Sequence, residues 1–308
     1  MPPLPVHILG RERIEYAFDR SHEPLITVTA PCELLIDTHN SRRGRLNKPE
    51  DEEACRPDPK DRFPQSNPMT GPVGILGAEP GDALAVDILD IQVDEQGYVG
   101  VFPEVGIVQD VTNRRTVVML PVKDGQVHFK DLRLPLKPMI GAMACAPAGE
   151  PISVGLIGRH GGNMDNNRVT VGTKVHLPIR VGSALFYVGD VHATMGDAEM
   201  SGSGAEIGAR VHLKLELVKG AAREWPWMET ADRIITTASA PKFEAAAELA
   251  TSSMMILLQE RLQVSAVDAF ALLSIAGDLR VNQYCSSERL GTSVRMEFPK
   301  LNAGMTRA

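Results

Sequence analysis

Apolar and polar residues alternate along much of the first three quarters of the chain, a pattern typical of half-buried β-strands. The clearest alternations cover residues 209–219 and 83–93. In residues 116–129, two apolar runs flank Asp124-Gly125, a dipeptide that predicts a hairpin turn. We therefore expect residues 1–232 to be mainly β. Shorter strands are predicted over residues 25–29, 33–40, 172–178, 184–188 and 293–299.

The pattern changes near residue 233. Residues 241–262 are rich in helix formers, and their apolar positions recur at spacings of three and four. Ser265 predicts the N-cap of a second helix over residues 266–276, with Gly277 at its end. Residues 233–308 are thus predicted to form an α+β region with a helical hairpin and a final strand. Because strands and helices do not alternate, the expected fold class is mainly β, a β-sandwich or barrel-like core plus this C-terminal helical hairpin.

Composition narrows the class of protein. The 308 residues suffice for one large or two ordinary domains, and 43% hydrophobic with 23% charged residues is typical of a globular protein. A net charge of −7 without a basic block argues against nucleic-acid binding. The sequence has no run of 18 apolar residues and no signal-peptide pattern at its N-terminus. We therefore expect a cytoplasmic protein that does not bind membranes.

Four cysteines are scattered without a C-x-x-C pair, which excludes a zinc ribbon and offers no disulfide framework. We expect each of Cys32, Cys55, Cys145 and Cys285 to be a small apolar core residue in a reducing compartment. An alternative enzyme mechanism would use Cys145 or Ser201 as a nucleophile. The sequence disfavours this mechanism because it has no G-x-S-x-G elbow and no obvious base partner.

Two glycine-rich segments, residues 158–167 and 189–206, contain most of the candidate chemistry. Glycine permits sharp turns and close approach to a ligand. Imidazole and carboxylate suit zinc, whereas carboxylate with carbonyl oxygen suits calcium or magnesium. One such segment would indicate ordinary turns, but the two together predict a single metal or catalytic site. Their histidines and carboxylates are His160, Asp165, Asp190, His192, Asp197, Glu199 and Glu206.

Two earlier features add candidates. Asp37 and His39 are two residues apart at the end of a predicted strand, so both side chains would emerge on one face. They are either members of the site or an ordinary strand end that leads into a turn. Residues 41–62 are charged and contain prolines, which predicts a loop or flap. Long loops are often functional lids, although a solvated loop is the simpler prediction.

These segments resemble a known family. Residues 160–165 (HGGNMD) and 189–199 (GDVHATMGDAE) are similar to the signature of the acetamidase/formamidase family. Residues 67–82 and 278–283 are similar to its N-terminal pattern and its closing segment, so the resemblance spans about residues 31–300. It implies a mostly β fold, hydrolysis of short-chain amides or γ-lactams, and a homo-oligomer. The chain departs from the family at Met195, Ala198 and Ser203, where Gln, Gly and Thr are usual.

Together these features predict a metal-dependent amide hydrolase. The expected cofactor is a divalent metal, zinc before calcium, and the expected substrate is a formamide-like or acetamide-like amide or a γ-lactam. A non-enzyme alternative is a calcium-stabilised β-sandwich binding module, which the histidines disfavour because calcium prefers oxygen. Asp197 is expected to support a ligand. The predicted metal ligands are His160, Asp165, His192 and, as a further candidate, Asp37; the predicted catalytic residues are Glu199, Glu206 and Asn163.

Overall fold

The computed structural model describes residues 3–58, 60–103, 105–284 and 291–300. Within these ranges the chain is mainly β-strand, with two long helices near its C-terminal end. The strands are β1 (Val6–Leu9), β2 (Ile14–Glu15), β3 (Ala17–Phe18), β4 (Ile26–Val28), β5 (Cys32–Thr38), β6 (Met69–Ile75), β7 (Ala83–Val93), β8 (Gln96–Val101), β9 (Thr116–Lys123), β10 (Gln126–Phe129), β11 (Leu132–Pro135), β12 (Met139–Cys145), β13 (Ile152–Ser153), β14 (Ile157–Gly158), β15 (Gly161–Asn163), β16 (Lys174–Pro178), β17 (Phe186–His192), β18 (Ala209–Val218), β19 (Trp227–Glu229), β20 (Arg233–Ala240), β21 (Asp278–Gln283) and β22 (Thr292–Pro299). The helices are α1 (Glu52–Cys55), α2 (Phe243–Leu262) and α3 (Ala266–Ala276), and residues 49–51 and 109–111 form short 3-10 helices.

Two large sheets form the body of the protein. One has nine strands in the order β1-β5-β18-β7-β16-β19-β20-β22-β21. The other has the order β14-β15-β12-β17-β6-β2, with β4 beside β6. Their strands pair antiparallel except β1 with β5 and β4 with β6. A smaller sheet, β11-β10-β9-β8, contains the hairpin predicted at Asp124-Gly125, and both turn residues have the positive φ that such a turn requires.

The main core lies between the two large sheets. Leu34 and Val211 of the nine-stranded sheet belong to the same buried cluster as Val73, Ile140 and Val188 of the other sheet. Along β18, buried and more exposed residues alternate as the sequence predicted. Two β-sheets that share one apolar interior form a sandwich-like core, so the predicted fold class is confirmed.

The helical hairpin covers the far end of the nine-stranded sheet. Met254 and Leu258 of α2 pack in a second apolar cluster with Val294 and Phe298 of β22. The predicted N-cap of α3 is present, since Ser265 Oγ accepts a hydrogen bond from the Asp268 backbone N–H at 3.1 Å.

Gly277 does end α3, but its φ of −85° is not left-handed, because the chain passes directly into β21. The predicted boundary between residues 232 and 233 falls inside the nine-stranded sheet, where β19 pairs with β20. Trp225 and Trp227, before that boundary, also pack in the second cluster. The division into two regions stays a prediction from the change of sequence pattern.

In the described part of the chain, no helix combines the length and apolar content needed to cross a membrane.

Candidate active site

Three neighbouring strands bring the two glycine-rich segments together. β12 pairs with β15 on one side and with β17 on the other. Asp165 follows β15, whereas Asp190 and His192 lie on β17 itself. The sequence predicted a strand over residues 184–188, which ends before His192. The strand instead continues to His192, which pairs with Met139 of β12, so the sheet fixes the position of both side chains.

Gly141 of β12 makes room for the carboxylates. A Cβ atom at this position would lie 2.6 Å from Asp165 Oδ1 and 3.0 Å from Asp190 Oδ2. Carbon and oxygen atoms that are not bonded do not approach so closely, so a larger residue here would displace both side chains. Asp165 and Asp190 also have left-handed backbone conformations, with φ of 42° and 55°, which aspartate tolerates better than most residues.

Five ionisable side chains converge in this region, and all are buried: Asp165, Asp190, His192, Glu199 and Glu206. His192 Nε2 lies 3.4 Å from Glu206 Oε1 and 3.8 Å from Asp190 Oδ1. The ligand atoms of Asp165, His192 and Glu199 lie within 4.8 Å of one another. The same holds for Asp190, His192 and Glu206, so His192 belongs to two groups that could hold a metal ion.

Several atoms of this cluster are buried without a hydrogen-bond partner. They are Asn163 Oδ1, Asp165 Oδ1, Asp190 Oδ1, His192 Nε2 and Glu206 Oε2. Leaving one such atom unpaired costs about 1–3 kcal/mol, and native proteins rarely leave several of them together. The concentration of unpaired atoms therefore indicates a site for an ion or a ligand. One imidazole among several carboxylates is a donor set that fits a divalent metal such as zinc.

Burial and mutual repulsion shift the pKa values of these groups in different directions. Burial raises the pKa of Glu199 to about 7. Burial and neighbouring carboxylates raise the pKa of Asp165 and Asp190. Burial acts to lower the pKa of His192, but Glu206 and Asp190 outweigh it and the pKa is raised. Burial acts to raise the pKa of Glu206, but the neighbouring His192 lowers it. The cluster therefore combines groups suited to accept and to donate protons near neutral pH.

Side-chain amides orient the carboxylates. Gln283 Nε2 donates to Asp165 Oδ2 at 2.5 Å and to Glu199 Oε2 at 2.9 Å. Asn163 Nδ2 donates to Asp165 Oδ2 at 2.5 Å, and Asn67 Nδ2 donates to Asp190 Oδ2 at 2.8 Å. Such hydrogen bonds fix the direction in which a carboxylate presents its free oxygen.

The sequence did not predict Gln283 or Asn67 as site residues. Both lie in segments that resemble the family, residues 67–82 and 278–283, and that resemblance was the available signal.

The turn that carries Glu199 is held by β21. The Ala198 backbone N–H donates to Val281 O, and the Tyr284 backbone N–H donates to Ala198 O, both at 2.9 Å. Ala198 and Glu199 have φ of 73° and 45°, and a left-handed backbone costs a non-glycine residue about 1–2 kcal/mol. The strand therefore stabilises a strained turn that directs Glu199 into the cluster.

A cavity of about 550 Å³ opens onto the cluster. The three predicted catalytic residues, Asn163, Glu199 and Glu206, line its wall. Asp165 and His192, which the sequence predicted as metal ligands, are each only 1% exposed beside these three. These two predicted metal ligands are therefore buried behind the three side chains that a molecule bound in the cavity could reach.

The segment of residues 41–62 closes one side of the cavity. Ser41, Arg42 and Arg56 contribute to the lining, while Leu46 and Cys55 are buried in an apolar cluster with residues of β8 and β9. A solvated loop was the simpler prediction from sequence, and most described residues of the segment are exposed, but Leu46, Glu52 and Cys55 are buried and residues 52–55 form α1.

The structure does not bring His160 to the cluster. The His160 carbonyl accepts from the Cys145 N–H at one end of β12, whereas His192 pairs with Met139 at the other end. At ~3.3 Å per residue, these positions are roughly 20 Å apart along the strand. The His160 ring packs edge-on against Phe18, with centroids 5.1 Å apart, and burial lowers its pKa to about 4.

Asp37 and His39 also lie outside the cluster. Both carboxylate oxygens of Asp37 accept from Arg210 of β18, at 2.7 and 2.9 Å, and this contact lowers the pKa of Asp37. His39 Nε2 is 3.1 Å from the carbonyl of Arg11. Among the described residues, neither belongs to a group that could hold a metal. Asp197, expected to support a ligand, accepts from Arg295 at 2.8 Å.

The proposed alternative nucleophiles are poorly placed. Cys145 is fully buried, and burial raises the pKa of its thiol, which disfavours the reactive thiolate. Ser201 Oγ donates to the carbonyl of Ser203 at 3.2 Å. Cys32 and Cys55 are buried, as expected, whereas Cys285 lies outside the described residues.

Comparison with known proteins identifies the family of this chain. A model of the Acetamidase/Formamidase family matches residues 12–153 and 156–270. A formamidase from Methylophilus methylotrophus is 26% identical over 215 residues, which cover 51% of this chain and 53% of that protein. An acetamidase from Mycolicibacterium smegmatis is 27% identical over 217 residues, with 49% and 53% covered. The chain thus spans about half the length of these curated relatives.

Solved structures resemble the chain over nearly its whole length. An acetamidase from Bacillus halodurans has a TM-score of 0.87 and 34% identity, with 95% of this chain and 97% of that chain covered. A predicted acetamidase/formamidase from Thermoanaerobacter tengcongensis has a TM-score of 0.88 and 32% identity, with 96% of each chain covered. A γ-lactamase from Delftia acidovorans has a TM-score of 0.64 at 19% identity, with 94% and 89% covered, a likeness of fold alone.

Proposed function

Because this chain belongs to the acetamidase/formamidase family, we propose that it is a metal-dependent hydrolase of carbon–nitrogen bonds other than peptide bonds. Its substrate would be a linear amide related to formamide or acetamide, or a γ-lactam. The observation that carries this proposal is the set of buried, unpaired oxygen and nitrogen atoms beside a cavity of about 550 Å³. Family membership then selects amide hydrolysis among the reactions such a site could catalyse.

We propose that Asp165, Asp190 and His192 hold a divalent metal, with Glu206 beside them. His192 Nδ1 is 3.3 Å from Met195 Sδ, which leaves Nε2 directed at the carboxylates. The imidazole favours zinc over calcium, which prefers oxygen ligands. When bound, the metal would polarise the amide carbonyl and lower the pKa of water at the site.

His160 and Asp37 are omitted from the proposed ligand set. His160 lies at the opposite end of β12 from His192, and Asp37 is paired with Arg210.

Glu199 is the proposed proton carrier. It lines the cavity, its pKa is raised to about 7, and Gln283 fixes one of its oxygens. A carboxyl group with such a pKa can take a proton from attacking water and return it to the leaving nitrogen. Water adds to the carbonyl carbon, the C–N bond breaks, and the products are a carboxylic acid and ammonia, or an amino acid from a lactam.

Asn163 is the proposed orienting residue for the substrate. Its Nδ2 is used by Asp165, whereas its Oδ1 is buried without a partner in the cavity wall. This oxygen can accept a hydrogen bond from the substrate amide N–H, which would hold the carbonyl carbon near Glu199. Orientation of this kind raises the rate because the reacting groups no longer have to find each other by diffusion.

Metal content and ammonia release, measured on the same preparation, test the proposal. We expect bound zinc and ammonia release from formamide or acetamide that a chelator abolishes and added zinc restores. The alternative binding module predicts a different result: chelation would lower thermal stability, and no amide would be cleaved at any metal loading.

Homo-oligomeric assembly and a cytoplasmic location remain part of the proposal. The first is implied by the family resemblance, and the second by the cysteine usage. Size-exclusion chromatography with light scattering would test the first.

A further inference from the structure

The cavity is much larger than the smallest amides. Formamide and acetamide have three and four non-hydrogen atoms, whereas one water molecule occupies about 30 Å³ of liquid volume. A cavity of about 550 Å³ lies in the range of ~300–1,000 Å³ that is typical for drug-sized ligands. Room therefore exists for a substrate with a substantial group attached to its amide.

Three arginines line one part of the cavity, and we call them the arginine wall: Arg42, Arg56 and Arg115. Phe102 lies between two of them, with its ring centroid 3.8 Å from Arg115 Cζ and 5.9 Å from Arg42 Cζ. Guanidinium groups bind carboxylates strongly because their planar donors match two carboxylate oxygens.

Arg42 has a buried donor that lacks a partner. The residue is only 7% exposed, and its Nη1 donates to Ser66 Oγ at 2.7 Å. Its Nε has no hydrogen-bond partner and lies 3.8 Å from Glu52 Oε2, which is also unpaired. The other oxygen of Glu52 accepts from Arg115 Nε at 2.6 Å. Glu52 thus lies beside both guanidinium groups, and Arg56, which is exposed at the rim, adds a further positive charge.

We propose that the preferred substrate is an amide whose acyl chain carries a carboxylate at its far end. This inference rests on the proposed function and specifies its substrate class. The far carboxylate binds Arg42 and Arg56, and the apolar linker passes Phe102. The scissile amide then reaches Glu199. Glu199 and Glu206 would repel a carboxylate placed beside them, which disfavours the reverse orientation.

The reaction is ordinary amide hydrolysis of such a half-amide. Water adds to the amide carbon and the C–N bond breaks. The nitrogen leaves as ammonia with the transferred proton, and a dicarboxylate remains.

A matched pair of substrates tests the inference. 4-Carbamoylbutanoate and pentanamide have the same five-carbon chain and the same amide. They differ only at the other end of the chain, which is a carboxylate in the first and a methyl group in the second. We expect kcat/KM to be about tenfold or more higher for 4-carbamoylbutanoate, the effect of one charge-assisted hydrogen bond, mainly through a lower KM. Equal values, or a preference for pentanamide, would overturn the inference.

Variants assign the preference to the arginine wall. Arg56→Ala changes an exposed residue and should leave folding intact, and we expect the preference to fall about threefold or more. Arg62→Ala is the matched control, because Arg62 is exposed in the same region but does not line this cavity. This variant should prefer 4-carbamoylbutanoate over pentanamide by the same factor as the unmodified protein. Arg42→Gln should abolish the preference. Because Arg42 is buried and that variant could fail to fold, Arg56→Ala alone decides: an unchanged preference overturns the assignment.

The two levels of the proposal fail differently. Cleavage of neutral amides without preference for the carboxylate would refute the inference and leave the proposed function intact. If neither substrate, nor formamide or acetamide, released ammonia from metal-loaded protein, the proposed function would be refuted and the substrate class with it.

Discussion

Replacing His160 with glutamine distinguishes two interpretations of this residue. The sequence predicted a metal ligand, whereas the structure places the ring in the core against Phe18. Burial lowers the pKa of His160 to about 4, so the folded protein keeps the imidazole neutral. Glutamine is similar in size and does not titrate, so His160→Gln removes the ionisable group with little change in volume.

Proton linkage gives the size of the effect of His160 on the free energy of unfolding. Histidine in an unfolded chain has a pKa of about 6.5. Between this value and about 4, the unfolded chain binds a proton that the folded protein does not bind. Stability is therefore intact above pH ~6.5 and falls as the pH falls below it. With 1.36 kcal/mol per pKa unit, the loss due to His160 is about 2 kcal/mol between pH ~7 and pH ~5.

Urea denaturation at these two pH values measures the effect. We expect the acid-induced loss in the unfolding free energy to be smaller in His160→Gln by about 2 kcal/mol. At pH ~7 the variant should lose about 1 kcal/mol, because the ring contact with Phe18 is removed.

His176→Gln is the matched control for this measurement. His176 stacks on Trp227 away from the cluster, and burial lowers its pKa to about 4 as well. It should therefore show a comparable reduction in acid sensitivity.

Metal analysis completes the test. The His160→Gln protein should retain the proposed metal and the proposed amidase activity. Unchanged acid sensitivity would refute the buried, neutral histidine. Loss of metal would restore His160 to the ligand set that the sequence predicted.

The remaining predictions concern the cluster itself. His192→Ala should bind less zinc per subunit in elemental analysis and lose ammonia release, because the imidazole is common to both groups that could hold a metal; unchanged metal content would exclude it as a ligand. Glu199→Gln should keep the metal but lower kcat by about 10²–10⁴-fold, the usual contribution of general acid–base catalysis; retained turnover would shift the proton transfer to Glu206. Gly141→Ala should reduce both metal content and turnover, because its Cβ would displace two carboxylates. The control is Gly149→Ala, where a Cβ meets open space and neither quantity should change. Normal metal binding by the Gly141 variant would contradict the placement of Asp165 and Asp190 against this glycine.

Local pattern predicted the regular elements well. The bounds of β7 and α3 agree with the sequence because alternation, helix periodicity and the Ser265 cap are properties of neighbouring residues. The glycine-rich stretches of β15 and β17 looked like turns, since glycine disfavours strands. They form strands because β12 pairs with both of them, and that pairing is a long-range property.

The contrast between local pattern and long-range pairing also applies to the candidate site. Asn163, Asp165, His192, Glu199 and Glu206 were predicted, and they come together as expected. Ligand-type residues in glycine-rich segments identify the chemistry, but the order of strands in the sheet decides which of them meet. That order separates the two histidines of the glycine-rich segments and brings side chains from distant segments into the cluster.

The position of Gln283 has a consequence for biosynthesis. Its amide reaches Asp165 and Glu199 from β21, near the C-terminal end of the described chain, and the same strand holds the turn at Ala198. A ribosome makes all the acidic members of the cluster long before it makes this strand. The nascent polypeptide therefore contains the carboxylates of the cluster before it contains Gln283, which holds two of them. The complete arrangement forms only once translation has passed residue 283. Chains interrupted before that point would lack both hydrogen bonds that Gln283 Nε2 donates to Asp165 and Glu199.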